Sequence, residues 1–182
     1  MSETEGEPSK FIRDLDERAN ILVLYEDIEY SRSLEFSFIR NGLEDGQRGI
    51  YLSPQDAHSS EKLMGMHGIK PKFFKNESLW VLSTSNKKRE HIIKTIDDFV
   101  KKQRYLTRIV LQHDMFSPEQ YGDLLLIESF LASKFEKSDI SIVVSYNAEF
   151  LSDASLMQKI INLHDHVVFA PTFGKGLVVK MR

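Results

Sequence analysis

Short, predominantly apolar runs alternate along the chain with longer stretches in which apolar residues recur every three to four positions. The runs are 21–25 (ILVLY), 49–52 (GIYL), 79–82 (LWVL), 108–111 (RIVL) and 140–144 (ISIVV). Near-continuous hydrophobicity over four or five residues is the pattern of a strand covered on both faces. Between them, 31–43, 55–66, 87–103 and 152–163 carry the helical period. Ile92, Ile93, Ile96, Phe99 and Val100 make the clearest stripe, and Leu34, Phe38, Ile39 and Leu43 another. Ser117-Pro118-Glu119-Gln120 supplies an N-cap serine, a proline at the first helical position and a glutamine at the third, opening a helix to about residue 135.

Residues 166–170 and 177–180 read as two further strands joined through 171–176 as a hairpin. Residues 1–9 read as a disordered acidic tail and 11–18 as a short lead-in helix, with 10–182 forming one domain. Five strand–helix alternations with buried strands require a parallel sheet, because parallel neighbours are joined through crossover helices. The expected fold class is therefore α/β: a doubly wound, mostly parallel sheet with helices on both faces and a C-terminal β-hairpin. Ligands of such sheets bind at the carboxyl ends of the strands.

Composition narrows the chemistry. The 182 residues contain no cysteine, which excludes a disulfide scaffold, a zinc–thiolate centre and a cysteine nucleophile, and points to the cytoplasm. Residues 1–8 are acidic and polar where a signal peptide needs a basic head and an apolar centre, and no apolar run approaches the roughly 20 residues of a membrane span.

The net charge of -3 conceals an uneven distribution: between Lys62 and Arg108 there are twelve Lys/Arg against four Asp/Glu. Lys87, Lys88, Lys94 and Lys101, with Arg89, Lys102 and Arg104, decorate the polar side of one helix. That face is either simply solvated or docks an acidic protein or nucleic acid. No aromatic-interleaved reader accompanies it, so direct nucleic-acid recognition is not expected.

Several segments taken together resemble a known family. Phe38-Ile39-Arg40-Asn41-Gly42-Leu43 through Gly49-Ile50-Tyr51-Leu52-Ser53, then a helix and Gly68-Ile69, resemble the second element of RecA-like ATPases of the circadian-clock KaiC type. The ending Gly176-Leu177-Val178-Val179-Lys180-Met181-Arg182 is similar to that family's final strand. Within the superfamily, 20–25 followed by Glu26-Asp27 is most similar to the MEDS domain, the prokaryotic sensory domain named after methanogens, methylotrophs and the dichloromethane regulator DcmR. Asn20 stands where MEDS sequences usually have His, and Gln47 where they usually have Glu. The resemblance implies signal transduction or transcriptional control through small hydrocarbon-derived ligands. In the ATPase relatives, residues like Lys180-Met181-Arg182 reach a neighbouring subunit's nucleotide, which leaves Lys180 and Arg182 as candidate contacts in a homo-oligomer.

A RecA-like ATPase needs G-x-x-x-x-G-K-[ST] after its first strand, since glycine amides cradle the phosphates and the lysine neutralises them. Here that place reads Glu26-Asp27-Ile28-Glu29-Tyr30-Ser31-Arg32, with three carboxylates that would repel a triphosphate. Ser53-Pro54-Gln55 occupies the place of the family's catalytic Glu pair, and Gln112 that of the Mg²⁺-holding Asp, with Asp114 two residues on. These substitutions lead to the expectation of a domain that is not an enzyme and holds no cofactor or metal.

Two readings of the first loop stay open. Tyr25, Glu26, Asp27 and Tyr30 line a small-ligand pocket with Gln112, His113 and Asp114, or the carboxylates cap the next helix. His164 and His166, two apart at a strand start, form a candidate metal pair lacking a third ligand, and His113-Asp114 a candidate acid–base pair lacking a nucleophile. The expected function is sensory or regulatory, with an unknown small molecule or signalling protein as partner and no membrane. The alternative is a scaffold subunit that uses the basic helix.

Overall fold

The computed structural model describes residues 7–103 and 105–181. Along the chain run α1 (Glu7–Arg13), β1 (Asn20–Tyr25), α2 (Ile28–Glu44), β2 (Arg48–Ser53), α3 (Ala57–Met66), α4 (Lys72–Lys75) and β3 (Leu79–Ser83). Next come α5 (Arg89–Lys101), β4 (Thr107–His113), a 3-10 turn (Pro118–Gln120), α6 (Tyr121–Lys137), β5 (Ile140–Asn147), α7 (Ala154–Ile161), β6 (His166–Ala170) and β7 (Leu177–Lys180).

The strands form one sheet in the order β3-β2-β4-β5-β1-β6-β7. Every neighbouring pair is parallel except β6 and β7, which form the antiparallel hairpin. The apolar runs are explained by the two layers that flank them. Ile21, Val23 and Tyr25 pack towards α2 with Phe36, Phe38 and Ile39. Leu22 and Leu24, at the alternate positions, pack on the other side with Ile96, Phe99, Ile127, Leu131 and Ile160 from α5, α6 and α7. Both faces of β1 are therefore dry, and neither set of positions can be polar. No helix among the described residues is long and apolar enough to cross a membrane.

The first element differs from expectation. Residues 1–6 of the expected tail lie outside the described residues, but Glu7, Pro8 and Ser9 already belong to α1, which ends at Arg13 rather than Arg18. Pro8 is tolerated there because a first helical turn has no use for its missing N–H. α4, a single turn at Lys72–Lys75, occupies part of the segment that reads as irregular, since four residues are too few to display a period.

Two sets of contacts tie together segments distant in sequence. Arg108, only 4% exposed, donates from Nε to Gln47 Oε1 at 2.7 Å and from Nη1 to Phe38 O at 2.7 Å. Gly42 makes room for it: a Cβ at that position would lie 2.4 Å from Arg108 Cδ. At the sheet's far edge, Val178 N–H donates to the Glu7 carboxylate of α1 at 3.3 Å.

Candidate functional site

The carboxyl ends of the strands divide into a filled half and an open half. At the end of β1 only Glu26 and Asp27 connect strand to helix, and Asp27 accepts from Glu29 N–H at 2.9 Å as the N-cap of α2. The helix terminus that would meet an anion is thus already met by the chain's own carboxylate. Glu29 pairs with Arg32 at 2.6 Å, and Glu26 is exposed. Tyr25 and Tyr30 are fully buried. The Tyr30 ring lies 4.8 Å from that of Phe173, while Tyr25 Oη donates to His113 O at 2.9 Å.

The open half lies beside it. A cavity of about 350 Å³ is lined by Pro54 after β2, by Thr84–Lys87 between β3 and α5, by His113 and Asp114 at the end of β4, and by Gln120, Asp123 and Leu124 of the α6 region. Thr84 N–H donates to Ser53 O at 2.8 Å and Lys87 N–H to Thr84 O at 3.0 Å, closing a turn in which Asn86 takes a φ of 59°. Asparagine is among the few non-glycine residues that visit this region readily.

A second hollow of about 300 Å³, lined by Leu52, Leu82, Ser83, His91 and Thr95, shares Thr84, Lys87 and Ile92 with the first. Tyr25, Glu26, Asp27, Tyr30 and Gln112 line neither hollow, which corrects the expectation of one pocket built from all seven residues. Gln112 is 2% exposed and alternates with His113 along β4, so the two side chains leave opposite faces of the sheet.

His113 heads a buried chain. Its ring stacks on Tyr146 with centroids 4.6 Å apart, and Phe116 meets Tyr146 edge-on at 5.6 Å. Tyr146 Oη donates to Glu128 Oε1 at 2.6 Å, and Glu128 Oε2 lies 3.4 Å from His164 Nε2. His164 Nδ1 is 2.9 Å from Ile160 O, an acceptor, so that nitrogen carries a proton. Burial holds the His113 imidazole down to about 4 and raises the Glu128 carboxyl.

A second carboxyl–phenol pair sits across the sheet, where Glu35 accepts from Tyr51 at 2.7 Å and from Ser31 at 2.8 Å, and burial raises its pKa as well. Neither Glu35 nor Glu128 stood out as functional by sequence reasoning. Their signal is a carboxylate inside an apolar helical stripe, beside Leu34 and Phe38 in one helix and Ile127 and Leu131 in the other.

The basic helix is largely neutralised. Lys94 pairs with Asp98 at 2.5 Å, Lys101 with Asp97 at 2.5 Å, Lys134 with Asp97, and Arg89 with Glu90 and, at 2.6 Å, with Asp123. Lys87 and Lys88 are exposed at its start. Lys180 is exposed on β7, and Arg182 and Arg104 lie outside the described residues.

The expected shared face of His164 and His166 is also corrected. β6 begins only at His166, so strand alternation does not extend back to His164. His164 turns to Glu128 while the His166 ring lies 5.0 Å from Phe11 of α1. Among the described residues no group of three or more His, Asp or Glu could hold a metal ion.

No family model and no curated protein matches the chain in sequence. Solved structures do match in shape. A KaiC-like protein from the hyperthermophilic archaeon Pyrococcus horikoshii superimposes with a TM-score of 0.66 at 15% identity, over 90% of this chain and 79% of that one. The flagellar accessory protein FlaH from Methanocaldococcus jannaschii gives 0.68 at 14% identity, over 100% of this chain and 85% of that one. The fold is therefore RecA-like, of the KaiC type. The same likeness overturns the expectation that the chain is not an enzyme: its neighbours are ATPase-fold proteins, so the loss of one glycine–lysine loop does not exclude catalysis.

Proposed function

We propose that this RecA-like fold serves as a cytoplasmic sensory domain of MEDS type, which takes a small molecule into the His113–Asp114 cavity and passes its occupancy to signalling or transcription machinery. The observation that carries the reading is the cavity's position at the carboxyl ends of β2, β3 and β4, with His113 as a wall. A ligand pressing on His113 acts on Tyr146, and through Glu128 and His164 on α6 and α7. Occupancy at one end of the sheet thereby biases helix packing at the other, which is what a sensor requires.

Native mass spectrometry of the purified protein tests this directly. A small molecule that co-purifies with the wild type and is lost from the His113→Ala/Asp114→Ala double variant, with an unchanged circular dichroism spectrum, supports the reading. Retention of that molecule by the variant overturns it. Turnover of Mg-ATP abolished by Asp114→Ala would instead assign the cavity to chemistry.

A further inference from the structure

We propose that the ligand is an amphipathic carboxylate, its ionised head beside Lys87 and its apolar tail in the hollow between Leu52, Leu82 and Ile92. This rests on the sensory reading of the same cavity and adds the chemical class of what enters it. The two hollows, of about 350 and 300 Å³, meet at Thr84, Lys87 and Ile92, so a single molecule can occupy both. They differ in character. The first sets the polar His113, Asp114, Asp123 and Gln120 beside Met115 and Phe116, whereas the second sets Leu52, Leu82 and Ile92 beside Ser83, His91 and Thr95 and has no carboxylate in its wall.

Charge then orients the occupant. Arg89 also lines the first hollow, but Asp123 and Glu90 already neutralise it. Lys87 has no ion-pair partner among the described residues, and the hydrogen-bonded turn from Thr84 holds its backbone at the junction. Asp114 is the competing charge and would favour an ammonium head. It lines only the first hollow, however, while a chain whose tail fills the second has its head at the junction, where Lys87 stands. A carboxylate is therefore favoured over an amine, and charge-assisted hydrogen bonding to Lys87 supplies the preference.

The test is calorimetric titration with straight-chain carboxylates from acetate to octanoate, together with the matching primary amines and alcohols. Affinity for the carboxylates should rise about fourfold per buried methylene until the second hollow is full. Lys87→Met should weaken the carboxylates about tenfold and leave the alcohols unchanged, since only the former lose a charged partner. Leu82→Trp, which fills the second hollow, should shorten the preferred chain.

Charge reversal at Lys137, which lines neither hollow, is the control. Tighter binding of amines than of carboxylates, absence of a chain-length trend, indifference to Lys87→Met, or no binding by any series each overturns the assignment. Those results concern the ligand's class alone. The sensory reading falls separately, when a co-purifying molecule survives the loss of His113 and Asp114.

Discussion

Tyr25 and His113 are joined across the strand that separates them: the tyrosine hydroxyl at the end of β1 donates to the His113 carbonyl at the end of β4, with β5 between. Burial, with the nearby Glu35 and Asp114 carboxyls, raises the Tyr25 phenol far above the ordinary tyrosine range, which keeps its hydroxyl protonated as a donor near neutral pH. Tyr25→Phe leaves the ring in place and strands the carbonyl. Urea denaturation should show a loss of about 1 kcal/mol, and an unchanged midpoint would mean that water satisfies His113 equally well.

The two buried glutamates make stability fall as pH rises. Their carboxyls titrate above the ordinary range in the native state because burial disfavours charge, so the folded protein holds their protons more tightly than the unfolded chain does. That contribution is complete below the unfolded value of about 4.3 and is lost as pH climbs through the native values. In melts between pH 4 and 8, Glu35→Gln and Glu128→Gln should each flatten the decline. Glu128→Leu should cost about 1–3 kcal/mol, since the Tyr146 hydroxyl and His164 Nε2 are then buried without partners.

His113 acts in the opposite direction. Its native value of about 4 lies below the roughly 6.5 of an unfolded histidine, so the neutral ring's contribution is present above pH 6.5 and is lost as pH falls towards 4. His113→Phe keeps a ring against Tyr146 and removes the titration. A variant melting curve that still declines as steeply as wild type between pH 6.5 and 4 would show that other groups drive the acid limb.

Gly42→Ala tests the buried arginine. The new methyl would meet Arg108 Cδ and Nε at 2.4 Å, and the side chain has little room to yield because Gln47 and the Phe38 carbonyl hold its guanidinium. A destabilisation of about 1–3 kcal/mol is expected in chemical denaturation. A neutral result would mean that Arg108 swings out without loss.

The strands were legible because burial on both faces leaves a signature that local sequence contains in full, as at Ile21–Tyr25. His113 and Asp114 were legible by position, since one ends a strand and the other follows it, whereas Lys87 was read only as part of the basic helix's partner face. Tyr25 and Tyr30 misled because exposure after a strand depends on what packs above, here Phe173 and the β4 carbonyl, both remote in sequence. The same remoteness hid the partners of Glu35 and Glu128, tyrosines 16 and 18 residues away on neighbouring strands. The basic helix misled in another way. Counting its charges obscured the four-residue spacing that sets Lys94 on Asp98 and Asp97 on Lys101, although that spacing is visible in the sequence.

The hydrogen bond from Val178 to Glu7 spans 171 residues of chain. It cannot exist until the chain has been synthesised through Val178, so α1, the first described helix to be made, has no edge strand to cover while the residues between them are being added. Until β7 arrives, α1 lacks part of the surface it finally packs against, so the start of the described chain is among the last parts of the fold to be completed.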